Sequence, residues 1–204
     1  MQGAEGAVTG PTDFLLHIAQ VLEQLHIPYQ VGGSFASSAH GMYRASADID
    51  LVIDPTVEQL EALAQALESD FYVSRSAIAE ALAARSTFNA IHNDTSFKLD
   101  FFIKGTSPFD AAELNRSIRQ AVGDPGGHTV SIKTPEDTVL RKLDWFRRGG
   151  EVSERQWQDV LSILRASSGH LDEAHLDRWA GELDVADLLD RARRDVRGGS
   201  EDAP

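Results

Sequence analysis

The sequence predicts an α+β fold in which a sheet with flanking helices is followed by a C-terminal helical bundle. Short β-type runs begin at residue 29 and continue through the middle of the chain, whereas from residue 135 onward the apolar residues recur at helical spacing. The change of pattern falls near Thr134-Pro135. We therefore expect an α+β core over residues 12–134, a helical region packed on it over 135–197, and disordered ends at 1–11 and 198–204.

Apolar spacing and end signals place the helices of the core. In chain order they are expected from Thr12 or Asp13 to about His26, over 34–40, from 55 to about 69, and over 78–84. Pro28 ends the first helix and Gly41 ends the second, since neither residue continues a helix well. The inner face of the third helix consists of apolar residues three or four apart: Leu60, Leu63, Ala64 and Leu67.

Strands fill the intervals between these helices. They are expected over 29–31, 48–54 and 71–73, in a hairpin of 87–92 with 97–103, and in a pair that flanks residues 123–127. The strand over 48–54 alternates cleanly: Ile49, Leu51 and Ile53 face one way, and Asp48, Asp50 and Val52 face the other.

The C-terminal region is expected to contain helices only. Their predicted bounds are 135–148, 153–167, 172–181 and 183–196.

Composition narrows the classes of function. The formal net charge of −13 argues against a broad, sequence-independent grip on nucleic acid, which requires a basic face. There are no cysteines, so disulfides, thiolate metal sites and a cysteine nucleophile are excluded. No apolar run is long enough to span a bilayer and no secretory signal is visible, so we expect a cytoplasmic protein without a membrane partner.

A glycine pair follows the first predicted strand. In Val31-Gly32-Gly33-Ser34 the strand ends and a helix begins at once, which directs backbone N–H groups at the helix N-terminus outward. Glycine lets the backbone approach a ligand closely, and the Ser34 hydroxyl can add a hydrogen bond. This segment is a candidate phosphate site, although a simple tight turn with a serine N-cap fits the same residues.

Three aspartates form a second candidate constellation. Asp48 and Asp50 share one face of a strand, where two nearby carboxylates are costly unless a cation lies between them. Asp100 lies in the apolar strand Lys98-Leu99-Asp100-Phe101-Phe102, where an aspartate needs a partner. A metal shared by the three would supply it, and Asp100 could also act as general base. The alternatives are a solvated strand face for Asp48 and Asp50 and an edge-strand charge for Asp100.

The order of these motifs resembles the DNA polymerase beta-like nucleotidyltransferases, and especially their AbiEii-like and minimal, uncharacterised branch. The resemblance rests on Gly-Gly-x-x-Ala (with Ala36), a long spacer, Arg44 ahead of Asp48, and the Asp-x-Asp strand. More loosely, Glu136-Asp137, Lys142 and Gln158-Asp159 stand where that branch has an acid pair, a lysine and a later aspartate.

The resemblance implies a nucleotidyltransferase-type mixed sheet and a magnesium-dependent transfer of NMP from an NTP to an acceptor. It implies two Mg²⁺ ions on Asp48, Asp50 and Asp100, and donor contacts from the six residues Gly32, Gly33, Ser34, Arg44, Lys142 and Asp159. Ordinary helix charges are the alternative for Lys142 and Asp159, and Arg44 suits either a phosphate contact or an ion pair with the aspartates.

The acceptor and the preferred NTP are not readable from the sequence. A toxin-like action on tRNA, with an antitoxin partner, is implied by the AbiEii-like branch; a small molecule such as an aminoglycoside, or a protein, is the alternative acceptor. A non-catalytic nucleotide- or partner-binding module and a plain interaction protein are the rival classes. His40, His92 and His128 show no metal-binding spacing and are expected to be structural or surface residues.

Overall fold

The computed structural model describes residues 10–40, 48–123 and 127–198. In chain order its elements are α1 (Pro11–Gln24), β1 (Tyr29–Val31), α2 (Gly33–His40), β2 (Asp48–Ile53), α3 (Val57–Leu67), β3 (Phe71–Val73), α4 (Arg75–Ala84), β4 (Thr87–His92), β5 (Lys98–Ile103), α5 (Pro108–Asn115), β6 (Ile118–Ala121), β7 (Thr129–Ile132), α6 (Pro135–Arg148), α7 (Glu154–Ala166), α8 (Glu173–Glu182) and α9 (Ala186–Gly198). The predicted α+β class is confirmed.

The chain divides into two compact units. The sheet unit comprises residues 1–31 and 46–132, and the helical unit comprises 32–45 and 133–204. The chain leaves the sheet unit directly after β1, returns before β2, and leaves it finally after β7. The helical unit therefore contains α2 as well as the C-terminal helices.

The sheet unit is built on a mixed sheet of seven strands in the order β3-β4-β5-β2-β1-β7-β6. The pairs β2–β5 and β1–β7 are parallel, and the other neighbouring pairs are antiparallel. Both β2 and β5 alternate between buried and half-buried residues, which matches the predicted alternation of β2. Their buried side chains, which form the middle of the core, are Ile49, Leu51, Ile53, Leu99, Phe101 and Ile103.

Helices α1 and α3 complete this core. Helix α1 contacts β2, β7 and α3, and Phe14 stacks on Phe97 with ring centroids 4.6 Å apart. His92 packs edge-on against Phe14, so this histidine belongs to an aromatic cluster. The buried face of α3 is the predicted one, with Leu60, Leu63, Ala64 and Leu67.

Two local features differ from the sequence-based expectation. Helix α1 ends at Gln24 rather than near His26, because His26 has a φ of 53° and Ile27 N–H bonds back to the Leu22 carbonyl at 2.9 Å, which is a Schellman-type ending. Helix α5 was not predicted at all. It begins with a Ser107 N-cap, whose hydroxyl accepts from the Asp110 N–H at 3.1 Å, followed by Pro108 at its first position.

The helical unit is held together by packing of α6 and α7, onto which α2, α8 and α9 pack. Its core includes Leu143 and Phe146 of α6 and Trp157 of α7. The Trp157 indole N–H donates to Asp195 at 3.2 Å, and the Arg191 guanidinium lies 4.4 Å from the ring centroid. Among the residues described, no helix is long and apolar enough to cross a membrane.

The chain ends follow the expectation only in part. Helix α1 begins at Pro11 and α9 continues to Gly198, each one residue inside a segment predicted to be disordered. Residues 1–9 and 199–204 lie outside the described part of the chain.

Candidate active site

The three predicted aspartates lie on one face of two neighbouring parallel strands. In the register of β2 and β5, Asp50 is directly beside Asp100, and Asp48 is beside Lys98. Asp48 and Asp50 are two residues apart on one strand, so their side chains point to the same side. All three are half-buried, while the residues that alternate with them are buried. We call Asp48, Asp50, Asp100 and Lys98 the acidic face.

Lys98 neutralises part of this negative charge. Its ammonium lies 2.7 Å from a carboxylate oxygen of Asp100. The hydrogen bond to Asp100 raises the pKa of Lys98, helped by the charges of Asp100, Asp48 and Asp50 and opposed by partial burial. Sequence reasoning missed Lys98, although its position two residues before Asp100 places it on the same face of β5.

The donor chemistry of the acidic face suits a hard divalent cation, because carboxylate oxygens are the ligands that Mg²⁺ prefers. Within the described ranges, no three carboxylate or imidazole side chains already converge on one point as metal ligands do. The register brings the aspartates together by strand position, and their side chains would have to turn to share an ion.

The glycine segment is the start of α2 in the helical unit. Gly33 has a φ of 54°, a left-handed conformation that favours glycine. The Ala36 N–H donates to the Gly32 carbonyl at 3.0 Å, and the Ser37 hydroxyl donates to the Gly33 carbonyl at 2.8 Å. Ser34 is buried in the first turn. As at any helix start, the first N–H groups have no acceptor within the helix.

Lys142 and Asp159 form an ion pair between α6 and α7. The Lys142 ammonium donates to Asp159 at 2.8 Å and to the side-chain oxygen of Gln156 at 3.1 Å. The Lys142 side chain is only 7% exposed, so it is not the ordinary surface lysine that the sequence left as an alternative. Asp159 therefore holds Lys142 in place. Both helices contact α2.

A second buried polar pair joins α6 to α8. The His175 Nε2 atom lies 2.7 Å from a carboxylate oxygen of Asp137, whose other oxygen accepts from the Thr134 hydroxyl at 2.9 Å. Asp137 is fully buried. The sequence marked Asp137 by resemblance but gave no signal for His175, since 38 residues separate the two.

The remaining predicted residues are placed as follows. Arg44 lies outside the described residues. His40 is structural, because its Nε2 donates to the Lys133 carbonyl at 2.6 Å and ties the end of α2 to the start of α6. His128 is exposed.

The fold is one that known nucleotidyltransferases share. The crystal structure of ANT(2'')-Ia in complex with adenylyl-2''-tobramycin superposes with a TM-score of 0.55 at 15% identity, covering 86% of this chain and 98% of that one. The solution structure of the antibiotic-resistance factor ANT(2'')-Ia gives a TM-score of 0.52 at 15% identity, with 93% and 96% covered. An antigenic nucleotidyltransferase-like protein from Paracoccidioides brasiliensis gives 0.49 at 17% identity, with 86% and 90% covered.

Fold and family together define the protein as a nucleotidyltransferase. The chain belongs to the AbiEii family, described as the nucleotidyl transferase AbiEii toxin of type IV toxin-antitoxin systems, whose model matches residues 31–198. The resemblance stated from the sequence is thereby confirmed at the level of family and enzyme class. No protein with a curated description matches the chain.

Proposed function

We propose that the protein transfers a nucleoside monophosphate from an NTP to an acceptor hydroxyl and that this reaction requires Mg²⁺. The observation that carries the proposal is the register of β2 and β5, which sets Asp50 beside Asp100 with Asp48 on the same face. A strand pair with three carboxylates on one half-buried face suits two cations that clamp an in-line displacement at phosphorus.

The bond changes define the roles of the residues. The acceptor oxygen forms a bond to the α-phosphorus, the bond from that phosphorus to the bridging oxygen of the β-phosphate breaks, and pyrophosphate leaves. Mg²⁺ bound by Asp48, Asp50 and Asp100 would neutralise charge on the triphosphate and make the acceptor hydroxyl more acidic. Asp100 accepts the proton of that hydroxyl.

We assign the donor contacts to two groups of residues. Gly32, Gly33 and Ser34 offer backbone N–H groups and a hydroxyl at the start of α2, which suits phosphate oxygens. Lys142 offers an ammonium for the triphosphate, and Asp159 positions that ammonium at 2.8 Å. Arg44, which precedes Asp48 in the sequence, is a further candidate for a phosphate contact.

For the acceptor, we propose RNA first, with tRNA as the first candidate, because the family model is that of a toxin. A family of toxins acts on a component that the cell cannot do without, and a hydroxyl of tRNA meets the chemical requirement of the reaction. We accordingly propose a toxin-like role with an antitoxin partner.

A second acceptor class is favoured by charge. The net charge of −13 repels a long polyanion and attracts a cation. A polycationic small molecule with free hydroxyl groups, of the aminoglycoside type, is therefore the second candidate.

One labelling experiment tests the reaction and separates the acceptors. Purified protein is incubated with Mg²⁺, each α-³²P-labelled NTP in turn, and total RNA, tobramycin or cell lysate, and the labelled product is identified. Label on tRNA supports the first acceptor, label on tobramycin the second, and label on a lysate protein would overturn both. NTP binding by calorimetry without label on any acceptor would contradict catalysis and favour a binding module.

A further inference from the structure

Lys98 shares a strand face with the three aspartates. Its backbone lies beside Asp48, and its ammonium contacts Asp100 at 2.7 Å. The charges of Asp48 and Asp50 also act on it. The positive charge of Lys98 therefore lies in the same electrostatic field that would attract a metal ion.

We propose that Lys98 is a resident counter-ion that competes with Mg²⁺ for the carboxylates of the acidic face. This inference rests on the proposed function, because it takes Asp48, Asp50 and Asp100 as the metal ligands. Lys98 then stabilises the face when metal is absent, and metal binding requires its ammonium to leave Asp100.

The exposure of the pair makes this exchange feasible. The side chain of Lys98 is 37% exposed and that of Asp100 is 21% exposed, so the ammonium can move into water as the metal ion takes its place. Ion pairs with such access to solvent contribute about 0–1 kcal/mol, because water and side-chain entropy offset the attraction. A divalent cation carries twice the charge of the ammonium. Its binding also does not restrict the rotation of a lysine side chain, as the ion pair does.

The far end of the same strand pair provides a matched control. Lys104 follows β5 and its ammonium lies 2.7 Å from a carboxylate oxygen of Asp54, which follows β2. The two ion pairs have equal length, but Lys98 and Asp100 are both on β5, whereas Lys104 pairs with a residue that follows β2. Asp54 is additionally 3.6 Å from Arg85. Substituting either lysine by methionine removes one positive charge and keeps the aliphatic stem.

The experiment measures metal binding, independent of activity. Mg²⁺ is titrated by calorimetry into wild type, Lys98→Met, Lys98→Arg and Lys104→Met. Lys98→Met is expected to bind Mg²⁺ about tenfold more tightly, since one nearby positive charge is removed. Lys104→Met should stay within about twofold of wild type, because water and salt screen the more distant charge. Lys98→Arg should remain near wild type because the charge is retained.

Thermal unfolding supplies a second measurement. In EDTA the Lys98→Met variant should melt below wild type, since three carboxylates have lost a counter-ion, and MgCl₂ should raise its melting temperature more than that of wild type. In Lys104→Met the effect of MgCl₂ should equal that in wild type.

The outcomes that overturn the proposal differ from those that overturn the metal site. Unchanged or weaker Mg²⁺ binding in Lys98→Met contradicts competition, even if wild type binds the ion. If neither wild type nor Lys98→Met binds Mg²⁺, both ideas fail. Binding that appears only in Lys98→Met supports the competition directly. Asp50→Asn in the same titration tests the ligand assignment alone, because that variant keeps Lys98.

Discussion

The acidic face and the buried pairs of the helical unit differ in how their carboxylates are compensated and in how far water reaches them. On the acidic face three half-buried carboxylates lie along two strands with one partly exposed lysine. In the helical unit, the pairs Lys142–Asp159 and His175–Asp137 are largely shielded from water, at 2.8 and 2.7 Å. In the second region each carboxylate contacts a basic or imidazole side chain, whereas the first region is predominantly negative.

We expect the acidic face to supply the reacting groups and the buried pairs to support the fold. Concentrated carboxylates on a half-exposed face are unfavourable for folding and become favourable when a cation binds. Buried pairs with good geometry hold helices in one arrangement, and breaking one by removing a partner is costly. Substitutions of the three aspartates should therefore reduce activity and spare stability, whereas substitutions in the buried pairs should reduce stability.

The largest effect is expected from Asp50→Asn. The amide keeps the size of the side chain but removes a metal ligand's charge, so NMP transfer should fall by about a thousandfold or more. The melting temperature in EDTA should stay close to that of wild type or rise, because repulsion from Asp100 is reduced. Asp54→Asn at the far end of β2 is the control and should keep near-wild-type transfer. Equal activity of the two variants would remove Asp50 from the site.

Lys142→Met should lower stability and also weaken the use of the NTP. Loss of the ammonium leaves Asp159 facing an apolar side chain, and we expect the free energy of unfolding to fall by about 2 kcal/mol. The KM for the NTP should rise as well if Lys142 contacts the triphosphate. Urea denaturation of Lys142→Met, Asp159→Asn and the double variant forms a cycle that measures the pair. A double variant that loses the sum of the two single effects would mean that the pair contributes nothing.

His175→Ala should affect stability alone. Removal of the imidazole takes a hydrogen-bond partner from the fully buried Asp137, and a cost of about 1–2 kcal/mol is expected in urea denaturation. His170→Ala is a suitable control because His170 is exposed and should change stability by less than about 0.5 kcal/mol. A His175→Ala variant as stable as its control would show that this pair does not support α6.

The smallest effect is a dependence of stability on pH through His40. Burial lowers the pKa of His40 below its ordinary 6.5, against the opposing influence of the Lys133 carbonyl and Glu136. The folded state therefore binds fewer protons than the unfolded state just below pH 6.5. The stability that neutral His40 contributes is present above pH 6.5 and is lost as pH falls through the lowered pKa. His40→Gln retains a donor for the carbonyl and should flatten this slope in urea titrations at pH 5, 6 and 8. An identical slope in both proteins would assign the pH dependence to other groups.

Local pattern was sufficient to predict most elements of the fold. The alternation of β2 and the apolar face of α3 are contained within single segments, and both appear in the structure as expected. Helix α5 was missed because few of its residues are buried, although its Ser107-Pro108 start is an ordinary helix signal. Its position could have been predicted from the cap and not from the apolar spacing.

The candidate site was less accessible to local reasoning. Asp48 and Asp50 share a strand and could be grouped at once. Their relation to Asp100 depends on the parallel pairing of β2 with β5, which two helices and two strands separate in sequence. Nothing in a single segment gives the register of such a pair. The contacts of Lys142 with Asp159 and of Asp137 with His175 depend likewise on how helices pack.

The assignment of the acidic face as the metal site is the claim on which the rest depends. Titration of Mg²⁺ by calorimetry into wild type, Asp50→Asn and Asp54→Asn tests it most directly. We predict binding in wild type and in Asp54→Asn and at least tenfold weaker binding in Asp50→Asn. Equal affinity of all three proteins for Mg²⁺ would contradict the assignment.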